Sequence, residues 1–401
     1  MKYPAKSFAG AGEFPQGLAT PIMKCREFVL STLGVGSGWL MSLSVAGAAE
    51  SEATWARLAP FFSPPPAYAN QLGAYPSPLK FYDGRPVKDA RDWPRRRQEI
   101  LAKWHELMGA WPELLTAPRI DFLGQTQREN FTQHLVRVEI ARNYFIDGYL
   151  LVPDGKGPFP AAFVPYYDRE TSVGLAGQLR DFAYQLARRG FVTLSIGSPG
   201  GDAVKPDMGK ATCQPLSFLA YVAANCHTVL ARQPGVDPAR IGVVGHSYGG
   251  KWAMFASCLY EKYACGVWSD GGIVFDDTRG SINYWEPWYL GYVAGKPRLK
   301  RGLITPENPA YGPYVEMRKT GRDLTELHAL MAPRPFLVSG GSEDHPARWV
   351  ALNHVIALNS FLGYKNRAAM TNRPAHSPTE ESNEVIYRFF EHFLKPGQAS
   401  R

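Results

Sequence analysis

The pentapeptide Gly245-His246-Ser247-Tyr248-Gly249 sets a serine between two glycines, after the apolar run Ile241 to Val244 and before the helical-looking stretch Lys251 to Leu259. A serine hydroxyl attacks a carbonyl carbon only if a base removes its proton and the backbone holds the oxygen clear of its surroundings. G-x-S-x-G at a strand-to-helix junction supplies the second condition, because the glycines permit a turn sharp enough to expose the side chain. Ser247 is therefore the candidate nucleophile. The context supports a junction of this kind: residues 235–242 read as a turn into a short buried strand, and Gly250 leaves room for the helix to pack closely on the sheet.

The first condition requires a histidine, oriented by a carboxylate, on loops that reach the serine. With a nucleophile on such a turn, the chain order is serine, acid, histidine, each at the carboxyl end of a strand. Asp344, in the loop Ser339 to His345, follows an apolar strand ending at Val338. His376 follows the last expected strand and precedes the last helix. These two are the first choices, with the imidazole taking the Ser247 proton and the carboxylate fixing its tautomer. Asp270, after the run Cys265 to Trp268, is the alternative acid. His246 lies inside the turn and reads as packing. For the oxyanion of a tetrahedral intermediate, the amide of Tyr248 is one expected donor, and Tyr166 or Tyr167, after the strand Ala161 to Val164, provides the other.

Elements able to present these loops are visible in the apolar spacing. Residues 92–108 repeat apolar side chains at helical intervals behind Pro94, and Phe131 to Ala141 and Tyr144 to Pro153 alternate as two antiparallel strands would. From Pro160 on, strands and helices alternate: strand Ala161 to Val164, helix Leu175 to Arg189, strand Phe191 to Ile196, helix Leu216 to Ala231, then the strand before Ser247. The series resumes with strands at 265–268, 335–338 and 368–370 and helices at 349–362 and 383–394. Such alternation makes an α/β chain with a mostly parallel sheet and helices on both faces. An insertion, 271–320, rich in Tyr and Trp, is expected over the catalytic face, where Trp285 and Trp288 could stack on a sugar ring.

The N-terminal region reads differently. Met23 to Arg26 is a short basic start, 28–45 is apolar and small, and Ala46-Gly47-Ala48 matches a small-x-small cleavage pattern. Residues 1–48 are expected to be a secretory signal, with Met23 as an alternative start and export after cleavage near Ala48; the polar interruptions and missing basic stop weigh against a membrane anchor. Residues 49–91, with Pro64-Pro65-Pro66, read as an extended arm before a catalytic domain over 92–401. The formal charge of +8 is spread along 401 residues and forms no tract, which disfavours a nucleic-acid partner. Cys213, Cys226, Cys258 and Cys265 lack C-x-x-C spacing, and H-E-x-x-H is absent, so neither metal nor cofactor is expected. A Cys213 to Cys226 bridge and four buried thiols are both open.

On these residues a family likeness can be stated. Gly245-His-Ser-Tyr-Gly-Gly-Lys251 resembles the G-x-S-x-x-G-K of glucuronoyl esterases, and Met331 to Asp344 looks like the acid-bearing strand and loop of their bacterial members. Dienelactone hydrolases, acetyl xylan esterases and the catalytic domain of prolyl oligopeptidases share the broader pattern. The resemblance spans roughly Asp92 to Leu394 and implies the α/β-hydrolase fold, a secreted serine esterase acting on a carbohydrate ester, and Lys251 as a contact to sugar hydroxyls or a uronate. The chain departs from the pattern at Tyr248, where glucuronoyl esterases typically carry arginine. Two other readings stand beside this one: a prolyl-oligopeptidase-like peptidase, for which the region before Asp92 is too short to hold a propeller, and a hydrolase-like carbohydrate-binding protein without turnover.

Overall fold

Nine strands form one sheet in the computed structural model, which describes residues 52–296 and 298–395; the expected signal segment lies outside them. The strand order is β1-β2-β3-β5-β4-β6-β7-β8-β9. Strands β1 (Ile120–Gln127), β2 (Phe131–Ala141) and β3 (Tyr144–Pro153) are antiparallel, and β3 also pairs antiparallel with β5 (Val192–Ile196). From β5 across β4 (Phe159–Pro165), β6 (Val236–His246), β7 (Cys265–Ser269), β8 (Phe336–Gly340) and β9 (Ala368–Asn372), all pairs are parallel.

The parallel strands are apolar on both sides because each side meets a different core. Alternate residues feed alternate faces: Phe163, Val243, Trp268, Val338 and Met370 join a core with the helices Trp93–Met108, Pro215–Ala231 and Tyr248–Leu259, while Val164, Val244, Val267, Leu337 and Ala369 join one with Phe182–Arg188 and Glu380–Leu394. The helix Glu380–Leu394 opens with a capping box, Thr379 and Ser382 exchanging side-chain and backbone hydrogen bonds.

Three expectations need correction. The helix expected over 175–189 is confined to Phe182–Arg188, preceded by a short turn of helix, Arg169–Ser172, because Gly174 and Gly177 take positive φ between them. Strand β1 escaped the pattern reading: as the edge strand it is exposed along nearly its whole length, so it has no apolar alternation. The arm is not extended. Residues 52–58 are helical and lead into the turn Ala59–Phe62, and Leu58 and Phe62 are buried against the closing helix, with the Phe62 ring 6.4 Å from Phe389 and 6.2 Å from Phe393.

The parallel register sets the level at which the functional loops leave the sheet. His246 pairs with Ser269, Ser269 with Ser339 and Ser339 with Thr371. Ser247, Asp270, the Gly340 to Asp344 loop and the His376 loop therefore emerge side by side at the carboxyl edge, where open parallel sheets place their ligands. Among the described residues no helix is long and apolar enough to cross a membrane.

Candidate active site

Ser247 sits between β6 and the helix Tyr248–Leu259 with φ 57 and ψ −114, a conformation that L residues rarely adopt. Crowding fixes it there. A Cβ on Gly245 would collide with the backbone of Gly249, one on Gly249 with the Pro165 carbonyl, and one on Gly250 would come within 2.8 Å of the Ser269 carbonyl. Both glycines of the motif are thus imposed by backbone packing. The Ser247 amide donates to the Ser269 carbonyl at 2.8 Å, and its own carbonyl accepts from Lys251 N–H at 3.0 Å.

The hydroxyl so exposed meets a histidine. His376 Nε2 lies 2.9 Å from Ser247 Oγ, and its Nδ1 lies 2.7 Å from Asp270 Oδ2. The carboxylate on the imidazole is therefore Asp270, and the first choice from the sequence, Asp344, is elsewhere. Asp344 turns its carboxylate away, accepting from the amides of Gly272 at 2.9 Å and Ile273 at 2.7 Å. Its loop nevertheless serves Asp270, whose Oδ1 accepts the N–H groups of Gly341 at 2.7 Å, Glu343 at 3.1 Å and Asp344 at 2.9 Å. A Cβ on Gly341 would press on the Asp270 carboxylate, so the missing side chain at Gly341 is the space in which that carboxylate sits.

The electrostatics follow from these contacts. Burial alone would raise Asp270, but the hydrogen bond to His376, the Asp344 amide and the charges of His376 and Arg373 outweigh it and hold the group below the usual carboxylate range. Asp344 is driven the other way, by burial and then by the negative charge of Asp270. The two neighbouring buried carboxylates are thereby pushed apart, Asp270 below and Asp344 above the ordinary carboxylate value.

Arg373, which the sequence reading did not single out, anchors the histidine loop. Its guanidinium donates to the carbonyls of Ser339 at 2.8 Å, His376 at 2.7 Å and Ser377 at 2.9 Å, tying β8 to the turn that carries the imidazole. His246 packs beneath, its ring 4.7 Å from that of His376, and burial, with the nearby His376 charge, pushes it well below the ordinary histidine value.

Tyr248 is the first residue of its helix, so its amide has no intrahelical acceptor. Its phenol points away, 3.0 Å from Ser198 Oγ. The two tyrosines left open by the sequence now separate: the Tyr166 amide is spent on the Ile196 carbonyl at 3.2 Å, whereas among the described residues the Tyr167 amide has no hydrogen-bond acceptor. The Tyr166 phenol, pushed up to about 12 by burial, remains a donor.

The insertion packs on the elbow, the ring of Tyr289 lying 6.3 Å from that of Tyr248. Lys251 does not reach out to a ligand. Its ammonium is buried, donates to the Gly271 carbonyl at 2.6 Å and lies 4.9 Å from the Tyr284 ring centroid. Burial lowers its pKa to about 8 against the opposing pull of Asp344, Glu343 and Asp270. Trp285 is also inside, fully buried in the core that the insertion shares with the helix Tyr248–Leu259, and donates to the Gly302 carbonyl at 2.9 Å. Trp288 is half-buried beneath the Arg301 guanidinium at 5.2 Å. Among the described residues all four cysteines are free buried thiols, so Cys213 and Cys226 are not bridged.

The chain matches no protein-family model and no curated protein. Solved structures do match. A glucuronoyl esterase from Solibacter usitatus superposes with a TM-score of 0.62 at 17% identity, covering 81% of this chain and 98% of its own. One from Teredinibacter turnerae gives 0.60 at 19% identity, covering 80% and 89%. A carbohydrate esterase family 15 glucuronoyl esterase from Caldicellulosiruptor kristjansonii gives 0.54 at 21%, covering 82% and 93%. The fold is the α/β-hydrolase fold. Within it, the serine follows β6, the carboxylate touching the histidine follows β7, and the histidine follows β9.

Two measurements check this assignment of contacts. In Asp270→Asn, hydrolysis of 4-nitrophenyl acetate is expected to fall about 10³- to 10⁴-fold, while Asp344→Asn, which sets an amide N–H against one of the two backbone donors that Asp344 accepts, loses about 1–3 kcal/mol of stability and retains activity within about tenfold. The opposite ranking of activities contradicts the geometry. The second concerns Lys251. Its folded pKa lies near 8, below an unfolded value of about 10.4, so between these values the unfolded chain binds more protons and folding is favoured as pH rises. Denaturant unfolding at pH 7.5 and 9.5 should show wild type gaining stability relative to Lys251→Met at the higher pH; a difference independent of pH contradicts a buried, titrating ammonium.

Proposed function

We propose that this chain is a serine carboxylic-ester hydrolase acting through an acyl-enzyme on an esterified polysaccharide. The observation that carries the reading is the continuous relay from Ser247 Oγ through His376 to Asp270 Oδ2, at 2.9 and 2.7 Å. His376 Nε2 takes the hydroxyl proton as Oγ bonds to the ester carbonyl carbon, and the negative charge that forms on the carbonyl oxygen is met by the Tyr248 amide and, from the neighbouring loop, Tyr167. Collapse of the intermediate breaks the bond to the alkoxy oxygen, which leaves as the alcohol with the proton held on Nε2. Water then repeats the sequence, His376 taking its proton, and releases the acid and free Ser247. Asp270, kept ionised, holds Nδ1 protonated and steadies the imidazolium.

Two features support a carbohydrate ester as substrate: the half-buried Trp288 and partly exposed Tyr167 near the catalytic edge, and the shared fold with enzymes described as glucuronoyl esterases. The elbow offers no guanidinium where that resemblance calls for one, since Tyr248 stands there with its phenol bonded to Ser198, so acetyl and methyl esters rank with glucuronoyl esters. Residues 1–48 fit export of the enzyme to where such polymers are met.

A panel of acetylated xylan, methyl-esterified pectin, a glucuronoyl ester and a prolyl peptide tests the reading. Release of acetate, methanol or the uronate, with the peptide intact and the rate down about 10⁴-fold or more in Ser247→Ala, is the expected outcome. Cleavage of the peptide alone favours a peptidase. Turnover unchanged by the substitution removes the nucleophile.

A further inference from the structure

Beside the nucleophile, on the side of Tyr167 and Ser198, opens a cleft of about 860 Å³ that does not include Ser247, within the ~300–1,000 Å³ typical of ligand sites. It borders the elbow: the Tyr167 ring lies 4.9 Å from that of Tyr248, and Ser198 Oγ lies 3.0 Å from the Tyr248 hydroxyl. One wall is the β2–β3 hairpin, with Arg137 and Phe145; the other is formed by the loops after β4 and β5.

The lining has the chemistry of a sugar site. Tyr167 is 43% exposed, and Phe145 joins the lining with its ring packed 4.6 Å from the Arg119 guanidinium. Rings of this kind accept the C–H face of a pyranose. Between them runs a chain of ion pairs, Arg137 to Asp147 at 2.8 Å, Asp147 to Arg169 at 3.3 Å and Arg169 to Glu170 at 2.8 Å. Each group holds its neighbour in place and keeps donors and acceptors free for paired hydroxyls. The charge argues against an acidic ligand. Asp147, Asp168, Glu170 and Asp207 outnumber Arg137 and Arg169 in the lining, and both arginines are already paired.

We propose that this cleft binds uncharged glycosyl units of the polysaccharide next to the esterified one, so that the enzyme recognises a neutral glycan chain as well as the ester. The inference rests on the esterase reading for the identity of the bound polymer, but binding can be measured without turnover. In the Ser247→Ala protein, isothermal titration calorimetry with tetramers of xylose, glucose and mannose, and with tetragalacturonate, separates the two. At least one neutral tetramer should bind, tetragalacturonate should bind at least about tenfold more weakly, and Phe145→Ala and Arg137→Gln, each made in the Ser247→Ala background and checked by thermal unfolding, should weaken the neutral tetramer about tenfold. Failure of every neutral tetramer to bind, tighter binding of the acidic one, or equal affinity in both folded variants overturns the cleft assignment. Loss of 4-nitrophenyl acetate hydrolysis in Ser247→Ala relative to the unsubstituted enzyme reports separately on the ester chemistry.

Discussion

Everything at the catalytic edge depends on a single buried carboxylate. Asp270 gives one oxygen to three backbone amides and the other to His376. Burying a charge is costly unless hydrogen bonds replace its water, and here the loop after β8 supplies them. The amides compensate the charge, the charge orients the imidazole, and the imidazole meets a serine that the crowding of Gly245, Gly249 and Pro165 has forced out of the sheet. Loss of the amide cradle would leave a carboxylate with reason to protonate and a histidine without a fixed tautomer.

The parts around this centre are tied to it by backbone contacts. Arg373 joins the histidine loop to β8, Lys251 holds the Gly271 carbonyl just after Asp270, and Tyr284 donates to Gly272 at 2.7 Å. Lys251 illustrates the cost of such an arrangement: an ammonium is buried to secure one carbonyl, with neighbouring carboxylates offsetting part of the penalty.

Much of this was legible in the sequence where local pattern determines structure. The elbow is dictated by two glycines that have no room for a side chain, and the parallel strands by apolar runs that feed both cores. The acid was not legible. Asp270 and Asp344 follow adjacent strands at the same level of the sheet, and which one turns toward the histidine depends on where three amides point, a property of loop conformation that residue types do not encode. Arg373 was missed because an arginine in a loop normally reads as solvated, and its four carbonyl acceptors, on Ser339, Gly340, His376 and Ser377, converge only in the fold. Trp285 read as a sugar platform because aromatic residues in an insertion look exposed until the insertion is found to join the core beside the helix Tyr248–Leu259. The proline-rich arm read as extended because the ring partners of Phe62 lie in the closing helix, more than three hundred residues away.

The central claim is that the hydroxyl of Ser247 is activated by His376. Reaction of the protein with a fluorophosphonate, followed by intact mass and peptide mapping, tests it most directly. The account predicts one equivalent of label, on Ser247, formed at least about 10³-fold more slowly in His376→Ala. Label on a different side chain, or a rate on Ser247 that ignores the loss of the imidazole, would contradict it.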